Sequence, residues 1–277
     1  MNSLQTLWLV LAALYVFESF DLAPAGKALL SEGLGGFRVA SHRLSLKHPL
    51  PASRIFALDG AGSWDSAALQ ARLDEFDKAT RWLKFLCLNF FIFLFIFMPL
   101  FYLRLEAFPR VFLGCIGCCV LLWWSCALAA YLAARRLGYA SPASLALPSL
   151  LAPARAMRGV ELLSRDLIKD WQALAAAQLL MKPDDFKGLC QKALLDEEFR
   201  PQVPPRLPPA WLPGEGGLAG FKIWLRSRSV SPEALLAVPP PSQAESRSYC
   251  PRCLSQFSLE AGNCSDCGLE LRRLKSN

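Results

Sequence analysis

Charged side chains make up only 19% of this 277-residue chain, and histidine occurs twice. With so little charge, an apolar share of 53% and a mean hydropathy of +0.29, the chain is too greasy to be one soluble enzyme domain from end to end. The same figures exclude a disordered or fibrous polymer. Local catalytic signatures are missing too: there is no zincin HExxH, no nucleophile-elbow GxSxG, no calcium loop and no kinase set. Two glycine-rich stretches, Asp59–Ser63 and Gly214–Gly220, fail as phosphate loops because the strand–loop–helix setting and the terminal Lys-Ser/Thr are not found around them. No polybasic tract accounts for the net charge of +7, so contact with nucleic acid is not favoured.

What is present is hydrophobic length. Phe85–Leu103 and Val111–Ala134 are uncharged runs of 19 and 24 residues, each able to cross the roughly 30 Å hydrocarbon core of a bilayer. The short link between them predicts an antiparallel helical hairpin over 82–134. A third apolar stretch, within residues 1–20, carries no charge before Glu18. It lacks the basic approach of a cleaved signal peptide and is short for a full span, so a retained first membrane helix is preferred over a cleaved signal or an interfacial helix. Lys and Arg flank the spans at Arg72, Lys78, Arg81, Arg135 and Arg136, with only Arg104 and Arg110 in the connecting loop. The positive-inside rule then places 21–81 and 135–277 in the cytoplasm and the N-terminus outside. The expected fold class is a mainly α membrane protein with the bilayer as its first partner.

Segment 21–81 reads as mixed. Gly36–Leu46 and Arg54–Leu58 suggest strands, and Asp65 or Ser66 can cap an amphipathic helix through Leu69, Leu73 and Phe76 that runs on into the membrane. His42 and His48 lie here without neighbouring cysteines and are read as surface residues. In the third span Cys115, Cys119, Leu122 and Cys126 share a helical face beside Gly114 and Cys118, which predicts a close-packing seam. Asn89 is expected to bond across helices and Pro99 to kink its span.

Residues 135–238 form a helical region. Pro142, Pro148 and Pro153 place Ser141–Pro153 at the membrane surface, an apolar stripe from Val160 to Met181 predicts one helix, and Pro183 with Asp184 and Asp185 starts another through Phe199. A proline-rich connector follows, then two short helices over 218–228 and 233–238. Residues 239–248, PPPSQAESRS, read as a loose tether.

The most specific pattern is the array Cys250-x2-Cys253-x10-Cys264-x2-Cys267. Each Cys-x-x-Cys turn aims two thiolates at one point, and Gly268 suits the positive φ that follows such a turn. Residues 249–274 resemble a zinc ribbon, and the resemblance implies a structural Zn2+ on these four cysteines. With Tyr249, Phe257, Leu259, Leu269 and Leu271 as its apolar residues, a module this small needs a metal or disulfides to fold, two disulfides being the alternative to zinc. Zinc ribbons serve nucleic-acid binders, enzymes and adaptors alike, so the resemblance leaves the role open. The expectation is a non-enzymatic scaffold or adaptor with a protein partner. A membrane-bound enzyme or accessory subunit is the first alternative, and a nucleic-acid tether the second.

Overall fold

The computed structural model describes residues 3–17, 20–21, 27–39, 45–46, 51–60, 62–102, 109–212, 217–238, 240–241, 243 and 245–274. His42 and His48 lie outside them. The described chain is mostly helical, with two helices long and apolar enough to cross a membrane, Ser66–Leu100 and Leu113–Arg136.

Near the end of helix α1 (Ser3–Phe17), Tyr15 is buried against Phe91 and Phe95 of the first of these. Strand β1 (Phe20–Asp21) pairs with β4 (Ser45–Leu46), and a second antiparallel sheet has the order β3 (Gly36–Val39), β2 (Ala28–Gly33), β5 (Ile55–Leu58). The central strand β2 is not predicted above. Its Ala28-Leu29-Leu30 is buried on both faces, so it lacks the alternation that marks a half-exposed strand. Arg54 ties this sheet to the next helix, reaching Glu32 at 2.8 Å and Asp77 at 3.2 Å.

Helix α2 (Ser66–Ile92) begins as expected. The Asp65 carboxylate accepts from the backbone N–H groups of Ala67 and Ala68, both at 3.0 Å, satisfying donors that the first turn leaves free. Leu69, Leu73, Phe76, Thr80, Leu83, Cys87 and Phe90 form its buried stripe. The helix continues through a π-helical turn, Phe93–Phe97, into α3 (Met98–Tyr102). Pro99 sits just beyond that turn; with no N–H to donate and a ring that crowds the preceding carbonyls, it is accommodated by one widened turn. Asn89 does not bond across helices: its amide donates to Phe85 O in its own helix at 2.7 Å.

Helix α4 (Pro109–Arg136) returns antiparallel to α2. Its expected seam is half realised. Cys126 is buried and Cys119 and Leu122 pack on the core, but Gly114 and Cys118 are exposed, and a Cβ on Gly114 would meet nothing. Trp123, not among the seam residues named above, packs against the core as well.

A left-handed Gly138 (φ +73°) reverses the chain into α5 (Pro142–Leu151), followed by α6 (Pro153–Ala156) and α7 (Gly159–Ser164). The single helix expected from Val160 to Met181 is two: α7 and α8 (Ala173–Leu180), broken at 165–172. The break has a tertiary cause. Carbonyls of Arg165 and Asp170 accept from Ala57 N (2.8 Å) and Ser63 N (2.9 Å), while Gln172 N donates to Ser63 O (3.0 Å). These backbone groups complete the sheet side of the domain and are unavailable to a helix. Gly60 and Gly62 permit the approach, since a Cβ on Gly62 would lie 2.0 Å from Asp170 O and one on Gly60 2.5 Å from Ala210 Cα.

Helix α9 (Pro183–Glu198) starts at the expected proline, and α10 (Gly217–Ser227) and α11 (Pro232–Leu235), the latter capped by Ser231, pack against it. One continuous core runs from the apolar helices through this region, joining Phe90 and Cys126 to Phe56, Leu174, Leu194 and Trp211. The C-terminal module has a separate small core of Cys250, Cys264, Cys267 and Leu271.

Candidate metal centre

Three short strands frame the four cysteines. β6 (Ser248–Tyr249) is central, with β7 (Gln256–Phe257) and β8 (Arg272–Arg273) antiparallel on either side. Tyr249 and Leu271 are buried and Phe257 and Leu269 pack on the cysteines, whereas Leu259, expected in this core, is 63% exposed.

The two knuckles repeat one backbone pattern fourteen residues apart. Leu254 N donates to Cys250 O (2.9 Å) and Gly268 N to Cys264 O (2.8 Å); Cys250 N donates to Ser255 O (2.9 Å) and Cys264 N to Leu269 O (2.8 Å). Each turn requires a left-handed residue after its second cysteine. Gly268 (φ +67°) meets the requirement freely, and Leu254 (φ +59°) meets it against its own Cβ.

The result brings all four predicted ligands together. Their sulfur atoms lie within 4.8 Å of one another, with Cys253 and Cys264 3.6 Å apart. A disulfide needs about 2.05 Å, whereas four thiolates at about 2.3 Å from one tetrahedral ion stand nearly 4 Å apart. The separations fit the second arrangement, and Cys250, Cys264 and Cys267 are buried away from water. Without a counter-charge the thiols resist joint ionisation. Burial raises Cys250 and pushes Cys267 up to about 12. Burial acts on Cys253 too, but the Ser255 hydroxyl, 3.2 Å from its sulfur, and the Ser255 backbone help bring it down to about 7. A cation at the centre supplies the missing charge, so the donor set can hold one metal ion.

The module is not loosely tethered. Arg252, inside the first knuckle, is 2% exposed and reaches out of the module into the helical domain. Its guanidinium donates to the Asp196 carboxylate at 3.0 and 3.1 Å and to Pro204 O. Asp196, fully buried near the end of α9, also accepts from Arg206 Nε (3.1 Å) and from the backbone N–H groups of Arg206 and Leu207 (2.7 and 2.8 Å). Arg206 in turn donates to Arg252 O at 3.1 Å. Composition marks the 239–248 segment as a linker, but nothing local signals that a knuckle arginine inserts elsewhere.

The remaining cysteines lie apart from this centre. Cys87 and Cys126 meet between α2 and α4, with Cys87 donating to Ala156 O at 3.2 Å, and Cys190 is buried in α9, where burial pushes its thiol up to about 12. A cleft of about 450 Å³ opens where β3 meets α9, bordered by Arg38, Asp184, Asp185, Lys192 and Arg206. Of these, Asp184 is exposed beside Lys187 at 3.9 Å, and Arg206 is held by Asp196. Comparison with protein families, curated proteins and solved structures found no match to this chain.

Proposed function

We propose that the chain is a multi-pass membrane protein that presents a helical domain and a zinc ribbon on one side of the bilayer as a surface for protein contact, with no catalysis of its own. The observation that carries this reading is the buried joint of Arg252 with Asp196, which makes the ribbon a rigid extension of the membrane-proximal domain. A fixed, metal-stabilised projection suits recognition of a partner better than it suits turnover of a substrate. Four soft thiolates favour zinc over calcium or magnesium, with iron next in order.

Packing supports a common side for the two large segments. Strand β5 bonds to Arg165, and the sheet shares one core with α7 to α9, so residues 21–81 and 135–238 belong on the same face with a two-helix hairpin between them. The Lys/Arg distribution favours a cytoplasmic face for them, with the N-terminus and the Arg104–Arg110 connection outside. Helix α1, packed on α2 through Tyr15, is read as a third membrane helix. Nucleic acid is a poor fit, because Arg247 and Arg273 pair with Glu260 and Arg252 is buried.

The test is purification of the full chain in detergent from carbonate-washed membranes, with metal analysis of the same sample. One zinc per chain and a co-purifying protein lost from an Arg252→Ala variant are expected. Release by carbonate removes the membrane assignment. Metal-free folded protein under reducing conditions removes the ribbon.

A further inference from the structure

We propose that helix α5 is a lipid-embedded wedge that dips into the leaflet next to the helical domain and turns back within it. This rests on the membrane reading above. Its first support is composition: no charged side chain occurs from Leu137 through Ala154, between Arg136 and Arg155. Its second is where the helix lies. Beyond the Gly138 reversal α5 runs back along α4, and the Trp123 indole donates to Ser149 O at 2.7 Å. Ser149 is fully buried at this contact, while Leu147, Leu150 and Leu151 face outward, 50%, 47% and 71% exposed. On the neighbouring helix Leu121, Trp124 and Leu128 are also exposed, so α5 adds to an apolar surface that α4 already presents.

Depth follows from the contacts. Lys84 is the last charged residue of α2 before its apolar stretch. Cys87, one turn further, meets Cys126 and Ala156 O, and Trp123 lies a turn beyond Cys126. At 1.5 Å per residue the end of α5 sits about 9 Å past Lys84, inside a leaflet whose hydrocarbon is about 15 Å thick. A chain that reverses there has to satisfy its backbone within the protein. Much of the reversal is paired internally: Ala152 N donates to Pro148 O (3.2 Å), Ala156 N to Ala152 O (3.0 Å) and Met157 N to Pro153 O (3.3 Å), while Ala156 O accepts from Cys87. The first charge to be buried on the way out, Arg158, is paired with Glu161 at 3.1 Å and lies over the Tyr15 ring at 4.9 Å, as an ion at such a level requires. Arg155, the first charge after the uncharged run, is exposed and carries the long apolar stem by which an arginine at this level can reach headgroups. Acyl chains are therefore the occupant of this face, by continuity with the flank of α4.

Photo-crosslinking of the full chain in phosphatidylcholine vesicles tests the wedge. Benzoylphenylalanine is introduced at Leu151 and, separately, at Leu147, with Leu121 on α4 as the lipid-facing reference and Leu34, 84% exposed in the β2–β3 turn, as the aqueous one. The wedge requires the peptides carrying positions 147 and 151 to gain the mass of one phospholipid, as the 121 peptide does and the 34 peptide does not. Lipid adducts at 121 but none at 147 and 151, or protein adducts there instead, overturn the wedge and leave the membrane reading standing. No lipid adduct at any of the four positions overturns both.

Discussion

Arg252, a residue of the first cysteine knuckle, places its guanidinium 3.0 Å from the carboxylate of Asp196, and both side chains are almost wholly withdrawn from water. A charge so buried is tolerable only while its partner remains, and here one carboxylate serves two arginines and two backbone N–H groups.

Removing either side of this pair is therefore costly. Asp196→Ala should destabilise the folded chain by about 3–5 kcal/mol, because it leaves the buried Arg252 guanidinium without a counter-charge, and Arg252→Ala should cost less, because Arg206 and two backbone N–H groups still hold Asp196. The double variant should lose clearly less than the sum. Denaturant unfolding in mild detergent, followed as a double-mutant cycle, measures the difference. Additive losses would show that the two side chains are not coupled.

Metal removal should act across the same joint. Cys264→Ser, or a strong chelator acting on the native chain, should unfold residues 249–274 and also loosen the end of α9, since an unfolded knuckle cannot hold Arg252 in place. Hydrogen exchange should report lost protection in both regions, with α2 and α4 unchanged. Protection at α9 that is indifferent to the metal would mean that Asp196 is held by Arg206 alone.

The two knuckles differ in one respect that stability can read. Gly268→Ala places a Cβ at φ +67° and should cost about 1–2 kcal/mol of ribbon stability. Leu254→Gly, at φ +59°, relieves the same strain and should be neutral or stabilising by up to about 1 kcal/mol once the flexibility of glycine is counted. Competition with a chromophoric chelator ranks the variants; the reverse order would contradict the role given to the left-handed residue.

Glycines offer a second contrast. Gly62→Ala drives a Cβ into the Asp170 carbonyl and should destabilise by about 1–3 kcal/mol through forced backbone movement. Gly114→Ala, where a Cβ meets nothing, should stabilise α4 slightly through helix propensity, by up to about 1 kcal/mol. Thermal unfolding of both in the same detergent separates a packed glycine from an open one.

Features with a local cause are readable in the chain. The Asp65 cap, the start of α9 at Pro183, the two long apolar helices and the paired knuckles each depend on neighbours a few residues away. Other features depend on partners far along the chain. Strand β2 is hidden because both its faces are covered, the stripe from Val160 to Met181 is interrupted because residues 57–63 take its backbone groups, and Arg252 looks like a surface residue until Asp196 arrives from 56 positions away. Helical periodicity records which side chains are apolar, not which carbonyls another segment claims.

The seam between residues 57–63 and the chain at 165–172 and 210 also sets an order of assembly. During synthesis β5 emerges well before Arg165, Asp170 and Ala210, and both long apolar helices lie between them in sequence. The sheet must therefore wait, with the flank that Arg165 and Asp170 will cover still open, until some hundred further residues, both long apolar helices among them, have been made. On the membrane reading proposed above, insertion of the hairpin precedes closure of the domain, and a nascent chain stalled before Trp211 holds an unfinished fold on an already anchored stem.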